Sequence, residues 1–330
     1  MKNLPPPKKK NPPLYKPAVG LSLCLGFFSL SNYWGGLHPG LDLLGQFKWQ
    51  FSLSLLLPLF LMGLMRRWKW VVMLLLLLGL HAIELLPWYL PVAHEKALAS
   101  PLHSEIKVLL ANVLNTNPEV TSLASLIKQE QPDIVALMEF HPKHLELMNG
   151  LGRAYPFRFQ PRDKNYFGLG LWSKFPLHRA ELKFLGQAEL PTLGTWVDLG
   201  ERQFYLISTH LDSPVRVPAL RRNRQLDALG KFALSKEPPV LVMGDFNVSM
   251  YSPYYKQFER NSDLHNCRRG FGVLPSWPAY LPEVARIPID QCLVSKQLEV
   301  VDLHLGTPVG SDHLPMVISL RFPVNTEIQR

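Results

Sequence analysis

The chain has 330 residues, 47% of them hydrophobic, and a formal charge of +9. Residues 1–99 carry ten Lys/Arg against three Asp/Glu, and residues 100–330 carry 25 against 23. The excess charge belongs to the first third, so the near-neutral remainder argues against a broad face for non-specific duplex binding.

In chain order, residues 1–13 are a Pro/Lys-rich tail of disordered composition. Three apolar stretches follow, at about 14–34, 47–65 and 70–90. Each is about 20 residues, the length of a helix that crosses a bilayer core. Aromatic residues flank them, among them Tyr15, Trp34, Trp49, Trp68, Trp88 and Tyr89. Three transmembrane helices are therefore expected. Lys2, Lys8, Lys9, Lys10 and Lys16 precede the first stretch, and Arg66, Arg67 and Lys69 separate the second from the third. The positive-inside rule then puts the N-terminus in the cytoplasm and everything beyond about residue 92 outside, in the periplasm of a bacterium with two membranes. Glu84 and His81 fall inside the third stretch, with Glu84 near enough to its end to reach the interface.

Residues 92–104 read as a linker, 105–322 as one domain and 323–330 as a tail. Apolar runs predict strands at Ile106–Val113, Ile134–Met138, Leu169–Trp172, Trp196–Leu199, Phe204–Ser208, Val240–Met243, Ile289–Val294, Val300–Leu305 and Met316–Leu320. Helical patterns occupy Val120–Glu130 and Pro218–Leu234. Strands joined both by helices and by short turns indicate a layered α/β or α+β domain. Cys267 and Cys292 lie where a disulfide is permitted, and a buried unpaired couple fits them equally well.

Polar residues gather where these strands end. They are Asn112, Glu139, His210, Asp245 and Asn247 in Gly244-Asp245-Phe246-Asn247, Asp290, and Asp312-His313. Singly, each is an ordinary turn or capping residue. Eight of them at the edges of apolar strands are harder to assign to turns alone.

Taken in order, the set resembles the endonuclease/exonuclease/phosphatase superfamily, and its membrane-anchored bacterial members in particular, over about residues 105–322. Gly168–Lys174, Arg222-Asn223-Arg224-Gln225 and Pro275-Ser276-Trp277-Pro278 are similar to family segments as well. The resemblance implies a four-layer sandwich of two packed mixed β-sheets flanked by helices. It also implies a hydrolase for phosphodiesters or phosphomonoesters that uses Mg²⁺, with Mn²⁺ as a substitute. Glu139, Asp312 and Asn112 would hold the cation. Asp245 would activate water, Asn247 would hold that water or a phosphate oxygen, and His210 would contact a non-bridging oxygen. His313, charged and positioned by Asp290, would face the phosphate.

Two departures stand out. The second glutamate of deoxyribonuclease-like members is missing near Asn165–Gly168, which leaves His210 either without an acidic partner or with Asp163, and speaks against DNA cleavage of that type. Gln291 stands where many members have histidine after the aspartate. Arg222, in the cluster Arg221, Arg222 and Arg224, and Trp277 are candidate substrate contacts, though the arginines also fit a solvated helix face and Trp277 also fits packing on the fold. Nucleic acid, nucleotides and lipid headgroups all remain candidate substrates. A catalytically silent, membrane-tethered binding domain is the alternative of another class.

Overall fold

A computed structural model describes residues 12–91, 105–161 and 168–322. The tail at 1–11, the linker at 92–104, the segment with Asp163 and the end at 323–330 lie outside the described residues. The chain divides into two compact units, 1–86 and 87–330.

The first unit is helical: α1 (Tyr15–Ser29), α2 (Pro39–Gly45), α3 (Lys48–Ser54), α4 (Leu56–Leu64) and α5 (Trp68–Leu85). Three spans are not what forms. Helix α1 has 15 residues, about 22 Å at 1.5 Å per residue, short of a bilayer core of about 30 Å. Helices α2 and α3–α4 meet at a 67° bend. By length and composition one helix, Trp68–Trp88, can cross a membrane, or two if the bent pair counts as one span. Hydropathy counts apolar residues, and breaks at 30–38 and 46–47 interrupt the helices without lowering that count.

Polarity in this unit is inverted. Leu23, Phe27, Leu57, Phe60, Leu76 and Ile83 are exposed, while Asn32, Asp42, Lys48 and His81 are buried. Glu84 does not reach outward as expected. It pairs with the Lys48 ammonium at 2.5 Å, and Asn32 Oδ1 accepts from the same ammonium at 3.3 Å.

The second unit holds two six-stranded sheets. Strands β1 (Ile106–Asn112), β2 (Ile134–Met138), β3 (Phe157–Phe159), β4 (Gly170–Ser173), β11 (Glu299–Leu305) and β12 (Met316–Arg321) form one, in the order β11-β12-β1-β2-β4-β3. The other contains β5 (Leu177–Lys183), β6 (Thr192–Asp198), β7 (Gln203–His210), β8 (Val240–Asp245), β9 (His265–Asn266) and β10 (Asp290–Val294), in the order β5-β6-β7-β8-β10-β9. Both sheets are mixed: β1–β2 and β7–β8 run parallel and the remaining pairs antiparallel.

Side-chain alternation builds the layers. Val108, Leu110, Ile134, Ala136 and Met138 enter one core together with Leu206, Leu241 and Met243 of the other sheet. Their neighbours Leu109, Ala111, Val135 and Leu137 enter a second core with Leu123, Leu126 and Ile127 of helix α6 (Thr121–Glu130) and with Met148 of α7 (Pro142–Gly150). A period of two thus feeds both faces of one sheet, which is why these strands read as unbroken apolar runs. On the other sheet, α8 (Ala219–Leu234) buries Arg222, Leu226, Leu229 and Ala233 at helical spacing. Helix α9 (Pro253–Ser262) begins at a Ser252 cap and supplies Tyr255 and Phe258. Their rings enclose Phe246, with centroids at 6.5 and 5.7 Å.

Three strands and two helices of this unit escaped the sequence reading. Strand β5 (Leu-His-Arg-Ala-Glu-Leu-Lys) is a largely exposed edge strand with no apolar run. Strands β3 and β9 are only three and two residues long. Helices α7 and α9 open on Pro142 and Pro253, prolines that suit a first helical turn but read as loop. Cys267 and Cys292 are joined by a disulfide.

Candidate active site

Register assembles the site. In adjacent strands β7, β8 and β10, His210 pairs with Asp245 and Asp245 pairs with Asp290. The three residues form one row across the sheet at the strands' ends. From the facing sheet come Asn112, which ends β1, and Glu139, which follows β2. Asn112 Nδ2 donates to Glu139 Oε1 and to Asp245 Oδ2, each at 3.2 Å. His210 Nε2 lies 3.6 Å from the same two carboxylate oxygens. Asn112 and Asp245 thereby link the ends of both sheets. Asn112, Glu139, His210, Asp245, Asp290 and His313 are all buried, none more than 9% exposed.

The turn after β8 explains its sequence. A side chain on Gly244 would place Cβ 1.8 Å from the Thr209 carbonyl oxygen, so only glycine fits between β7 and β8. Phe246 is fully buried and anchors the turn beneath. Asn247 sits at φ 51° and Glu139 also at φ 51°, left-handed conformations that non-glycine residues adopt at a cost. Asn247 N–H donates to Asp245 Oδ1 at 2.9 Å, and its Nδ2 donates to Leu211 O at 2.9 Å. Asp245 therefore keeps one oxygen fixed by its own turn and presents the other, Oδ2, to Asn112, His210 and His313.

His313 Nδ1 bonds Asp290 Oδ2 at 2.9 Å, while Nε2 stands 3.7 Å from Asp245 Oδ2. Ser276 Oγ also donates to Asp290 Oδ2. Burial works against a charged His313, but the carboxylates of Asp290 and Asp245 outweigh it and raise its pKa to about 10. Burial pushes Asp290 upward as well, and the His313 charge and hydrogen bond hold it below its ordinary value. Asp245 is raised to about 6, chiefly by burial, against the pull of His313. The carboxylate nearest neutrality is thus the one with an oxygen turned toward both histidines.

Other expected residues make different contacts. Asp312 is not bonded to Glu139 or Asn112 among the described residues; its Oδ2 accepts from the Trp277 indole at 3.0 Å. Trp277 is half-buried and braces Asp312 instead of lying open as a stacking surface. Arg222 differs from the sequence expectation most. It is fully buried, and its guanidinium donates to Asn247 O at 3.0 Å and to Asn223 Oδ1. A phosphate cannot reach it in this arrangement. Its helical spacing with Leu226 and Leu229 was the available signal of an inward face. Ser276 was missed, because a serine in a Pro-rich loop shows no link to Asp290 until the chain folds. Among the described residues His210 faces Glu139 and Asp245, and the expected Asp163 lies outside them.

The donor set suits a hard cation. Ligand atoms of Asp245, Asp290 and His313 lie within 4.8 Å of one another, and Glu139 Oε1 shares the Asn112 amide with Asp245 Oδ2. Carboxylate oxygens with few nitrogens match Mg²⁺ or Mn²⁺ better than a soft metal.

Comparison with known proteins agrees with this fold. A model of the Endonuclease/Exonuclease/phosphatase family matches residues 109–313. No curated protein sequence matches the chain. Among solved structures, zebrafish (D. rerio) TDP2 complexed with a single-strand DNA product is similar over 66% of this chain and 99% of its own, at 17% identity and TM-score 0.57. An endonuclease/exonuclease/phosphatase from Beutenbergia cavernae is similar over 66% of this chain and 72% of its own, at 19% identity and TM-score 0.56. The catalytic domain of human Nocturnin with bound sulfate covers 67% and 97%, at 20% identity and TM-score 0.53. At these identities the structures speak for the fold alone, two packed mixed sheets flanked by helices. The matched segment spans Asn112, Glu139, His210, Asp245, Asn247, Asp290, Asp312 and His313, and the chain belongs to the endonuclease/exonuclease/phosphatase family, hydrolases of phosphoester bonds.

Proposed function

We propose that the second unit is a divalent-metal-dependent phosphoesterase in which Asp245 is the base and His313 the charged partner of the phosphate. The observation that carries this reading is the row His210–Asp245–Asp290, with His313 Nδ1 on Asp290 and Nε2 turned toward Asp245. Asp245 Oδ2 takes a proton from water as the water oxygen bonds to phosphorus and the ester oxygen departs on the opposite side. Asn247 steadies the base through the Asp245 Oδ1 bond. His313 and His210 offset charge gathering on the non-bridging oxygens. Glu139 and Asp312 with Asn112 would hold the cation, which when bound neutralises phosphate charge. The zebrafish TDP2 complex holds a single-strand DNA product, which makes single-stranded DNA the first substrate to try.

The test uses the full chain in detergent with bis(p-nitrophenyl) phosphate and with 5′- and 3′-phosphorylated oligonucleotides, in Mg²⁺, Mn²⁺ and EDTA. Metal-dependent turnover that Asp245→Ala and His313→Ala abolish is expected. Loss of one acid–base group costs about 10²–10⁴-fold. Wild-type turnover in EDTA would overturn the metal assignment. No turnover with any cation, together with no cation binding, would favour a silent binding domain.

We also infer that the first unit embeds in a membrane. Two observations support this: the 21-residue apolar helix Trp68–Trp88, and exposed leucines around a polar interior. Arg66, Arg67 and Lys69 flank the start of that helix, so a single span already leads the second unit outward. A phosphatase/β-galactosidase reporter pair fused after residue 322 tests the orientation, and a cytoplasmic signal would refute it.

A further inference from the structure

The residue that replaces the family's frequent histidine, Gln291, is the centre of a buried polar network behind the catalytic turn. It is fully buried in β10, in register with Gly244. Its Nε2 donates to Val248 O at 2.9 Å and to Pro288 O at 2.7 Å. Its Oε1 accepts from Asn266 Nδ2 and from Arg268 Nη1, each at 3.1 Å. All four hydrogen-bonding positions of the amide are filled. Arg268, also fully buried, is held in turn by the carbonyls of Val273 and Leu274 at 2.9 and 3.4 Å.

These bonds converge on one short segment. Val248 O is held by Gln291, and the preceding carbonyl, Asn247 O, is held by Arg222 Nη1 at 3.0 Å. Phe246 N–H donates to Ile289 O at 3.0 Å, which ties the same turn to the strand that carries Asp290. Between the two clamped carbonyls and Asp245 lies Asn247, at φ 51°. Released, a left-handed asparagine relaxes toward ordinary backbone. Its N–H would then leave Asp245 Oδ1, and the carboxylate would lose its aim.

Resting on the reading of Asp245 as the base, we propose that Gln291, braced by Arg268, is a positioning residue that fixes the Asp245–Val248 turn through the Val248 carbonyl. It touches no substrate. Its side chain leaves the strand on the face opposite Asp290, because neighbouring strand residues point to opposite sides. Its removal therefore changes the geometry of the reacting groups and not their identity. Displacement of a reacting group by about 1 Å costs on the order of 10²-fold.

Gln291→Glu is the selective variant. It keeps size, and keeps acceptor oxygens toward Arg268 and Asn266, while removing both donors toward Val248 and Pro288. Gln291→Met removes the same donors without adding charge. The full chain in detergent is assayed with Mg²⁺ and bis(p-nitrophenyl) phosphate, and kcat is referred to the folded fraction read by circular dichroism. Both variants are expected to lower kcat about 10- to 100-fold, with KM within about threefold of wild type. The proposal is overturned if either variant keeps kcat within about threefold, or if lost activity follows only the lost folded fraction. Asp245→Asn run alongside separates the two levels. Full activity in Asp245→Asn removes Asp245 from the chemistry, whereas an inactive Asp245→Asn beside an active Gln291→Glu defeats the Gln291 assignment alone.

Discussion

Replacing Asp290 by asparagine removes one charge from the site and little else. In the native site Asp290 Oδ2 accepts from His313 Nδ1 at 2.9 Å and from Ser276 Oγ, and its charge is the largest influence holding His313 protonated. Burial opposes that charge, and with Asp290 neutral only Asp245 and Asp312 remain to counter it. The sign follows: the pKa of His313, raised to about 10 in the wild type, falls toward and below the ordinary imidazole value of about 6.5. At pH 7.5 most of the imidazolium is then lost, and with it the donor facing the phosphate. A single such group supplies about 10²–10⁴-fold. The assay is kcat against pH from 5 to 10.5 at saturating Mg²⁺. The wild type should hold its activity to about pH 10, while Asp290→Asn should lose its basic limb below pH 7 and fall at least 100-fold at pH 7.5. An Asp290→Asn enzyme with an unmoved basic limb, or with more than a tenth of wild-type kcat, would refute the pairing. The acid limb belongs to Asp245, raised to about 6, and a bound cation lowers it further. A wild-type acid limb above pH 7 would therefore exclude Asp245 as the base.

Arg222→Met separates two readings of one residue. A phosphate contact would show as raised KM, whereas the buried bond to Asn247 O predicts kcat reduced about tenfold or more with KM nearly unchanged. Phe246→Ala empties a fully buried aromatic site against Tyr255 and Phe258 and should cost about 3–5 kcal/mol in urea unfolding of the second unit; a loss under about 1 kcal/mol would show that the turn is not anchored there. Glu181 is held down to about pKa 2: burial pushes it up, but Lys236, Tyr205 and Lys183 prevail. Its contribution is complete above about pH 4.5 and disappears as pH falls toward 2. Melting temperatures of wild type and Glu181→Gln should converge over that window, and parallel curves would disprove the coupling.

The polar residues of the candidate site were legible because they sit at the edges of apolar runs, and strand ends converge when strands pack into sheets. Asn112, Glu139, His210, Asp245 and Asp290 needed only that rule and their order along the chain. Arg222, Trp277 and Gln291 were not legible, because their roles depend on burial. A guanidinium, an indole and an amide look like ligand-facing groups in a sequence. Each here donates to another protein group: Arg222 to the Asn247 carbonyl, Trp277 to Asp312, Gln291 to the Val248 carbonyl. Polar groups this deep persist only when their hydrogen bonds are filled. Finding them in sequence would require the register of β8 against β10, which sets Gln291 beside Gly244.

The first unit shows the opposite failure. Hydropathy identified apolar residues correctly and segmented them wrongly, because a window average does not register a bend. The inverted burial in this unit is the more telling sign. A water-exposed helical unit gains stability by placing leucine inside, about 1.5–3 kcal/mol for each one buried. This unit leaves Leu57, Phe60, Leu76 and Ile83 outside and encloses Lys48, Asn32 and His81. Such a distribution is favourable only where the surroundings are as apolar as the side chains. In lipid, apolar packing between helices gains little from the surroundings, and polar contacts carry more of the burden. The Lys48–Glu84 pair, 52 to 16 residues along the chain from the Asn32 amide that both contact, joins α3 to α5 across that interior. Removing the Glu84 carboxylate leaves the fully buried Lys48 ammonium without its ion pair, a loss of about 3–5 kcal/mol where such losses have been measured in protein interiors. Exposed leucines around an ion pair are the distribution on which the proposed membrane embedding of this unit rests.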